Sequence, residues 1–256
     1  MKARIVPVVA VLTATLALHL GSASAQVRGP TSNAVDIWGA RTMRGGQHAI
    51  SVGAGWPSVF VQYDIGMGER FGLGLRGDLY YGSPFYDFDT ALGLGFSVPM
   101  RFNFYSKNNI AIGMGLRPGI TFGEGELFID HAWNEDDDFG FGLHLGDPSF
   151  LFTITPIRQL TVFARADLQL VLVIGPDDDG DPDTFDDDDD AFFVGTLGFV
   201  GGVEWHLAPA VNLFALTGVG PGFQPDHCYR RGGRRYCDDD GLYFRFAFGA
   251  TFILGR

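Results

Sequence analysis

Between Phe71 and Gly82 the chain alternates Phe71, Leu73, Leu75, Leu79 and Tyr81 with Gly72, Gly74, Arg76, Asp78 and Gly82. A strand built from it is apolar on one face and carries glycine and charge on the other. The pattern recurs in Leu92, Leu94, Phe96, Val98, Met100, Phe102 and Phe104, against Gly93, Gly95, Ser97, Arg101 and Asn103. It suits a barrel with hydrocarbon outside and a tight polar lumen inside.

Alternation alone leaves open which face is outside, because a soluble barrel alternates with its apolar side inward. Composition decides between them. A water-facing surface of this size calls for many lysines and glutamates, yet the only lysines are Lys2 and Lys107. The polar strand faces are mostly Gly, Ala, Ser and isolated Arg or Asp, residues that fit a crowded interior. A charge facing lipid near the midplane costs about 2–4 kcal/mol, and the apolar phase of these strands carries none.

The N-terminus points to export by an independent route. Lys2 and Arg4 precede an apolar run from Ile5 to Leu20, followed by Ala23-Ser24-Ala25, a small-x-small cleavage site. Residues 1–25 therefore read as a signal peptide, the run being short for a membrane helix of about 20 residues. Its removal takes away two positive charges from a chain already at -12. Nucleic-acid binding, which needs a basic field, is excluded as a function class.

Residues 26–47 lack a strong period and read as a mobile lead-in, with Val35–Arg41 a candidate short strand; residues 48–256 form one barrel. Strands are expected near 48–56, 58–66, 70–82, 90–105, 109–122, 149–157, 160–174, 191–206, 210–223 and 241–254. The fold class is thus all-β, a transmembrane antiparallel β-barrel of about ten strands, with eight or twelve as alternatives because segment 139–146 also alternates. Connections alternate between tight turns (66–70, 106–109, 156–159, 207–210) and longer acidic segments (83–89, 123–148, 175–190, 224–240). Short periplasmic turns and long external loops are the usual asymmetry of such barrels, which puts both chain ends in the periplasm. Gly55-Trp56-Pro57-Ser58 and Gly146-Asp147-Pro148-Ser149 each flip the phase of an alternating run, so each is a tight reversal or a bulge.

On these residues the chain resembles the small bacterial outer-membrane β-barrel proteins of the broad OmpA-like and OmpW-like kind, over essentially all of residues 48–256. The resemblance implies the outer membrane of a Gram-negative bacterium. It also implies passage by periplasmic chaperones and the barrel-assembly machinery, which reads a terminal aromatic residue in such proteins. Here the chain ends Phe252-Ile253-Leu254-Gly255-Arg256. Phe252 and Leu254 keep the outward phase, so the assembly signal is displaced rather than the strand lost.

Phase places Arg76, Arg101, Arg117, Arg165 and Arg245 in the lumen with Asp64, Asp78, Asp167 and Glu204, close to charge balance. Buried charges are tolerable when they pair and share hydrogen bonds, so the first reading is a salt-bridge network that locks the strands. The alternative is a porin-like, narrow and weakly anion-selective pore lined by arginine. Phe60, Phe163, Phe192 and Phe214 also point inward and narrow any lumen.

CYRRGGRRYC at 228–237 is a sequence palindrome. A Gly-Gly turn pairs Arg231 with Arg234, Arg230 with Arg235, Tyr229 with Tyr236 and Cys228 with Cys237, and an exported protein oxidises that last pair. The four arginines repel across the hairpin. Either the acidic neighbours Asp238, Asp239 and Asp240 and the aspartate-rich loop from Asp177 to Asp190 answer them, or they form an anion site for phosphates of lipopolysaccharide, which guanidinium recognises bidentately. The acidic segment 177–190 reads as a solvated loop. Its functional competitor is a weak calcium site at Asp177, Asp179, Asp181 and Asp183, the one cofactor candidate in the chain. His131, His144, Ser149 and His227 lie near rim positions without a nucleophile–base spacing, so the chain reads as a non-enzyme. The partners expected are outer-membrane lipid, lipopolysaccharide and the assembly factors.

Overall fold

A computed structural model describes residues 36–82, 92–123, 141–174, 191–223, 228–231, 234–237 and 242–254. Thirteen strands follow in chain order: β1 (His48–Trp56), β2 (Ser58–Gly66), β3 (Phe71–Tyr80), β4 (Gly93–Ser97), β5 (Met100–Lys107), β6 (Ile110–Gly123), β7 (Phe141–Ile157), β8 (Leu160–Ile174), β9 (Ala191–Ala208), β10 (Val211–Phe223), β11 (Cys228–Arg231), β12 (Arg234–Cys237) and β13 (Leu242–Leu254). β4 and β5 are two halves of one stave, since β3 and β6 each pair with both. The break falls at Val98-Pro99, where proline has no N–H for the ladder. The ladder still carries across it, because the Gly74 N–H donates to the Pro99 carbonyl at 2.7 Å and the Val98 N–H to the Pro118 carbonyl at 2.9 Å.

Ten antiparallel staves result, and the sheet closes where β1 pairs with β13 from His48↔Leu254 to Trp56↔Phe246. Closure removes both sheet edges, so each stave finds its backbone partners within the barrel. Of the expected strands, 48–56, 58–66 and 160–174 stand at the bounds read from the sequence. Segment 139–146 adds no stave, because its alternating residues belong to the start of β7.

The two phase flips resolve differently. At Trp56-Pro57-Ser58 the chain reverses from β1 to β2, whereas Gly146-Asp147 is a bulge inside β7. There the registers with β6 and β8 both shift, and Gly146 and Asp147 adopt φ of 121° and 36°. The left-handed backbone suits Gly146, while Asp147 tolerates it better than most residues. One extra residue re-aims Asp147 into the lumen.

Staves differ in length. β1 and β2 have nine residues each, while β7, β8 and β9 have 17, 15 and 18. The wall is therefore lowest at the β1–β2 turn and highest across β7–β9.

The distribution of residues is inside-out. Large apolar side chains stand on the outer surface, Leu75 at 62% exposure and Phe199 at 58%, with Phe96, Phe104, Phe150 and Phe248 beside them. Exposed charges occur at turns and adjoining strand ends, as at Glu69, Arg70, Lys107 and Arg158. The interior holds Gln62, Asp64, Asp78, Arg101, Asn103, Thr153, Asp167, Gln169, Glu204 and Arg245, all buried.

Residues 36–43 correct the sequence-based expectation of a mobile lead-in or a short strand. They form bends inside the lumen, with Asp36, Ile37, Trp38, Ala40 and Met43 buried. The reason is a contact that no local period reports: Ile37, Trp38 and Met43 cluster with Phe60, Phe163 and Phe214 from three separate staves.

Candidate functional site

The site is the lumen, and its lower half is built by residues 36–41. Glu204 on β9 accepts the N–H groups of Ile37 and Trp38 through Oε1, each at 2.8 Å. Arg101 on β5 donates from Nη1 to the carbonyls of Asp36 and Ile37, at 2.9 and 2.6 Å. Asn103 donates to the Ala40 carbonyl at 2.8 Å, and the Ala40 N–H donates to Thr153 Oγ1 on β7, also at 2.8 Å. Asp36 closes the bend by accepting the Thr153 hydroxyl at 2.6 Å and the Gly39 N–H. Most polar groups of this buried stretch thus find a partner, as burial requires. Burial pushes the Asp36 carboxyl above its ordinary range, while the Thr153 hydroxyl, Arg101 and the N–H groups of Gly39 and Arg41 pull it back.

Trp38 stands across the middle. Its ring meets Phe214 at 4.8 Å and Phe60 at 5.4 Å between centroids, and the Arg76 guanidinium lies 4.0 Å from the Phe60 ring and 5.8 Å from that of Trp38. Gly53 makes room for these rings: a Cβ there would sit 2.9 Å from Phe214 and still closer to Phe60.

Around Trp38 the five lumen arginines form ion pairs, Arg101 on the side of the N-terminal segment. Arg76 meets Asp78 at 2.6 Å and Arg101 meets Asp64 at 3.3 Å. Arg165 meets Asp167 at 2.7 Å, and Arg245 bonds the other oxygen of the same carboxylate. Arg117 meets Asp147 at 3.1 Å, and His144 bonds that carboxylate at 3.0 Å. The expected network gains Asp147, which its place in a phase-flipping motif concealed. Glu204 departs from it: expected among the arginine pairs, it holds the backbone of the N-terminal segment and the Asn212 amide at 3.4 Å. The sequence signal missed is the apolar pair Ile37-Trp38, whose lumen-facing partners lie far off in the chain.

A cavity of about 90 Å³ remains between Trp38 and the Trp56-Pro57-Ser58 turn, and all five arginines line it.

The hairpin of β11 and β12 pairs Cys228 with Cys237, Tyr229 with Tyr236, Arg230 with Arg235 and Arg231 with Arg234 along its backbone. The acidic segment with Asp177, Asp179, Asp181 and Asp183, together with His131, His227 and Asp238 to Asp240, lies outside the described residues, as does the 1–25 segment. Among the described residues no His, Cys, Asp and Glu cluster could hold a metal ion.

No family model and no curated protein matches the chain. Among solved structures it is similar to the outer membrane protease OmpT from Escherichia coli, with a TM-score of 0.41 and 6% identity over 84% of this chain and 94% of that one. It is also similar to the N-terminal β-barrel domain of Pseudomonas aeruginosa OprF, with a TM-score of 0.29 and 11% identity over 81% and 96% of the two chains. For OmpT, an outer membrane protein of Vibrio cholerae, the values are 0.31 and 13%, over 82% and 62%. At these values the architecture of this chain rests on its own strand pairing.

Proposed function

We propose that the chain is an outer-membrane β-barrel whose lumen is closed by its own N-terminal segment, serving a structural or surface-interaction role. The observation that carries this reading is Trp38, buried among Phe60, Phe163 and Phe214 with Glu204 holding its backbone. In this reading a lumen stopped by an aromatic stack and crossed by ion pairs resists deformation and carries no continuous water path. Membrane residence is supported by the apolar outer band and the aromatic residues near its margins: Tyr63, Tyr105 and Trp205 towards the short turns, Tyr81 and Phe223 towards the long connections.

In this reading residues 1–25 direct export and are removed, periplasmic chaperones and the assembly machinery deliver the chain, and its ends face the periplasm. The long acidic connections then face outward with the β11–β12 hairpin, where Cys228 and Cys237 form a disulfide. In the same reading the arginines of that hairpin meet lipopolysaccharide phosphates, and segment 177–183 takes calcium weakly. No catalytic role is assigned.

A second reading, the narrow anion-favouring pore, is supported by the five arginines around one cavity. Planar-bilayer recording separates the two. Native protein that is folded and electrically silent supports the closed barrel. Stable anion-selective steps from native protein, altered by Arg117→Gln or Arg165→Gln, replace it with the pore. The surface role is tested by binding to lipopolysaccharide vesicles, which should weaken with salt and on replacing the four hairpin arginines; binding indifferent to both removes it.

A further inference from the structure

We propose that the cavity above Trp38 is a binding site for a compact oxyanion of the phosphate class. It goes beyond the closed-barrel reading and needs only that the N-terminal segment be docked, not that the barrel have a surface role.

Three observations converge on it. Arg76, Arg101, Arg117, Arg165 and Arg245 all line the cavity, whereas their carboxylate partners Asp64, Asp78, Asp147 and Asp167 do not. Guanidinium groups therefore form the surface a guest would meet, with the acids behind them. Second, Arg165 and Arg245 share the single carboxylate of Asp167. Two guanidinium groups of the cavity wall thus draw on the two oxygens of one acid, while the buried Asp36 and Glu204 bring the charges of the lumen to balance. Third, Trp38 lines the cavity at 5% exposure, and its indole Nε1–H has no hydrogen-bond partner among the described residues. A buried donor without an acceptor is costly, and an oxyanion seated between the indole and the guanidinium groups supplies that acceptor.

The volume selects the class. About 90 Å³ has room for several water molecules, hence for one tetrahedral oxyanion. Guanidinium forks match its oxygen geometry. The closed ring of staves keeps membrane lipid phosphates out, so the ion comes from solution, either free or as the terminal group of a small solute.

The test is titration calorimetry on the refolded full chain in detergent at low ionic strength, with inorganic phosphate as the probe. Saturable one-to-one binding is expected. It should weaken roughly tenfold in Arg117→Gln and in Arg165→Gln, as loss of a charge-assisted hydrogen bond implies, and stay unchanged when Arg230, Arg231, Arg234 and Arg235 are all replaced by Gln. Trp38→Phe keeps an aromatic ring but removes the Nε1–H, so it decides the matter even where an arginine variant does not fold; phosphate should bind it several-fold more weakly. Absence of saturable binding, native affinity in Trp38→Phe, or loss of binding with the hairpin arginines overturns the proposal. With phosphate bound as expected, glycerol phosphate at equal affinity supports a solute-borne group, and its exclusion supports the free ion. Channel recording addresses the closed lumen separately, so either idea can fail alone.

Discussion

Trp38→Ala is the perturbation that most directly probes the closed lumen. A buried aromatic side chain removes about 150–250 Å² from water, worth about 4–6 kcal/mol at about 25 cal/mol per Å². Measured truncations of Phe or Trp to Ala cost about 3–5 kcal/mol. The loss falls on docking of residues 36–43 rather than on the barrel, because the stave ladders do not run through that segment. The remaining attachments are the packing of Ile37 and Met43 and hydrogen bonds with Glu204, Arg101, Asn103 and Thr153, each bond worth about 1 kcal/mol net, or more where charge assists. Losing 3–5 kcal/mol raises the undocked population by roughly two to three and a half orders of magnitude, at about 1.4 kcal/mol per decade. Hydrogen exchange read by mass spectrometry on the refolded protein gives both quantities at once. The amides of Ile37, Trp38 and Ala40 should exchange at least about a hundredfold faster, while those of β8 keep their native rate. Unchanged exchange at 36–41 would refute the anchoring role of Trp38. Equal acceleration in β8 would refute docking as a step separate from barrel formation.

Glu204→Gln keeps an acceptor for the Ile37 and Trp38 N–H groups and should weaken docking by about 1 kcal/mol, whereas Glu204→Ala orphans both and should cost about 2–4 kcal/mol; the same exchange measurement ranks them. Leu75→Arg, on the exposed mid-strand face, should destabilise the barrel by about 2–4 kcal/mol in lipid vesicles, seen as a lower denaturant midpoint, with no comparable loss from Leu75→Phe. Gly53→Val drives a branched side chain into Phe60 and Phe214 and should cost refolding yield as overpacking does. With Cys228 and Cys237 bonded as proposed, reducing the protein, or Cys228→Ser, should leave barrel stability unchanged while exposing the hairpin arginines to trypsin, since a bond closing so short a loop contributes about 2–3 kcal/mol, locally.

The fold was legible because a stave writes its two faces into adjacent letters. Leu73-Gly74-Leu75-Arg76 fixes which side each residue takes without knowledge of any partner strand. Pairs on one stave were equally open to reading, since Arg76 with Asp78 and Arg165 with Asp167 stand two residues apart on the same face. What stayed hidden depends on places distant in the chain. Trp38 has no period around it, and its burial is decided by Phe60 and Phe214. Glu204 has the right phase for an ion pair, yet its acceptor oxygen is taken by N–H groups more than 160 residues away. Asp147 needed a bulge to turn it inward, and Gly-x-Pro-Ser reads the same for a reversal as for a bulge.

The uneven wall has a consequence for how the molecule sits in its bilayer. At about 3.3 Å per residue and a tilt near 40°, a nine-residue stave rises about 23 Å, barely the height of the apolar belt, whereas the 18 residues of β9 rise about 45 Å. In the membrane-spanning reading one flank therefore rises about as high as the apolar belt, while the opposite flank stands roughly 20 Å higher. A solute approaching the arginine-lined cavity meets the lowest sheet rim at Trp56-Pro57-Ser58, with the tall flank of β7–β9 on the far side.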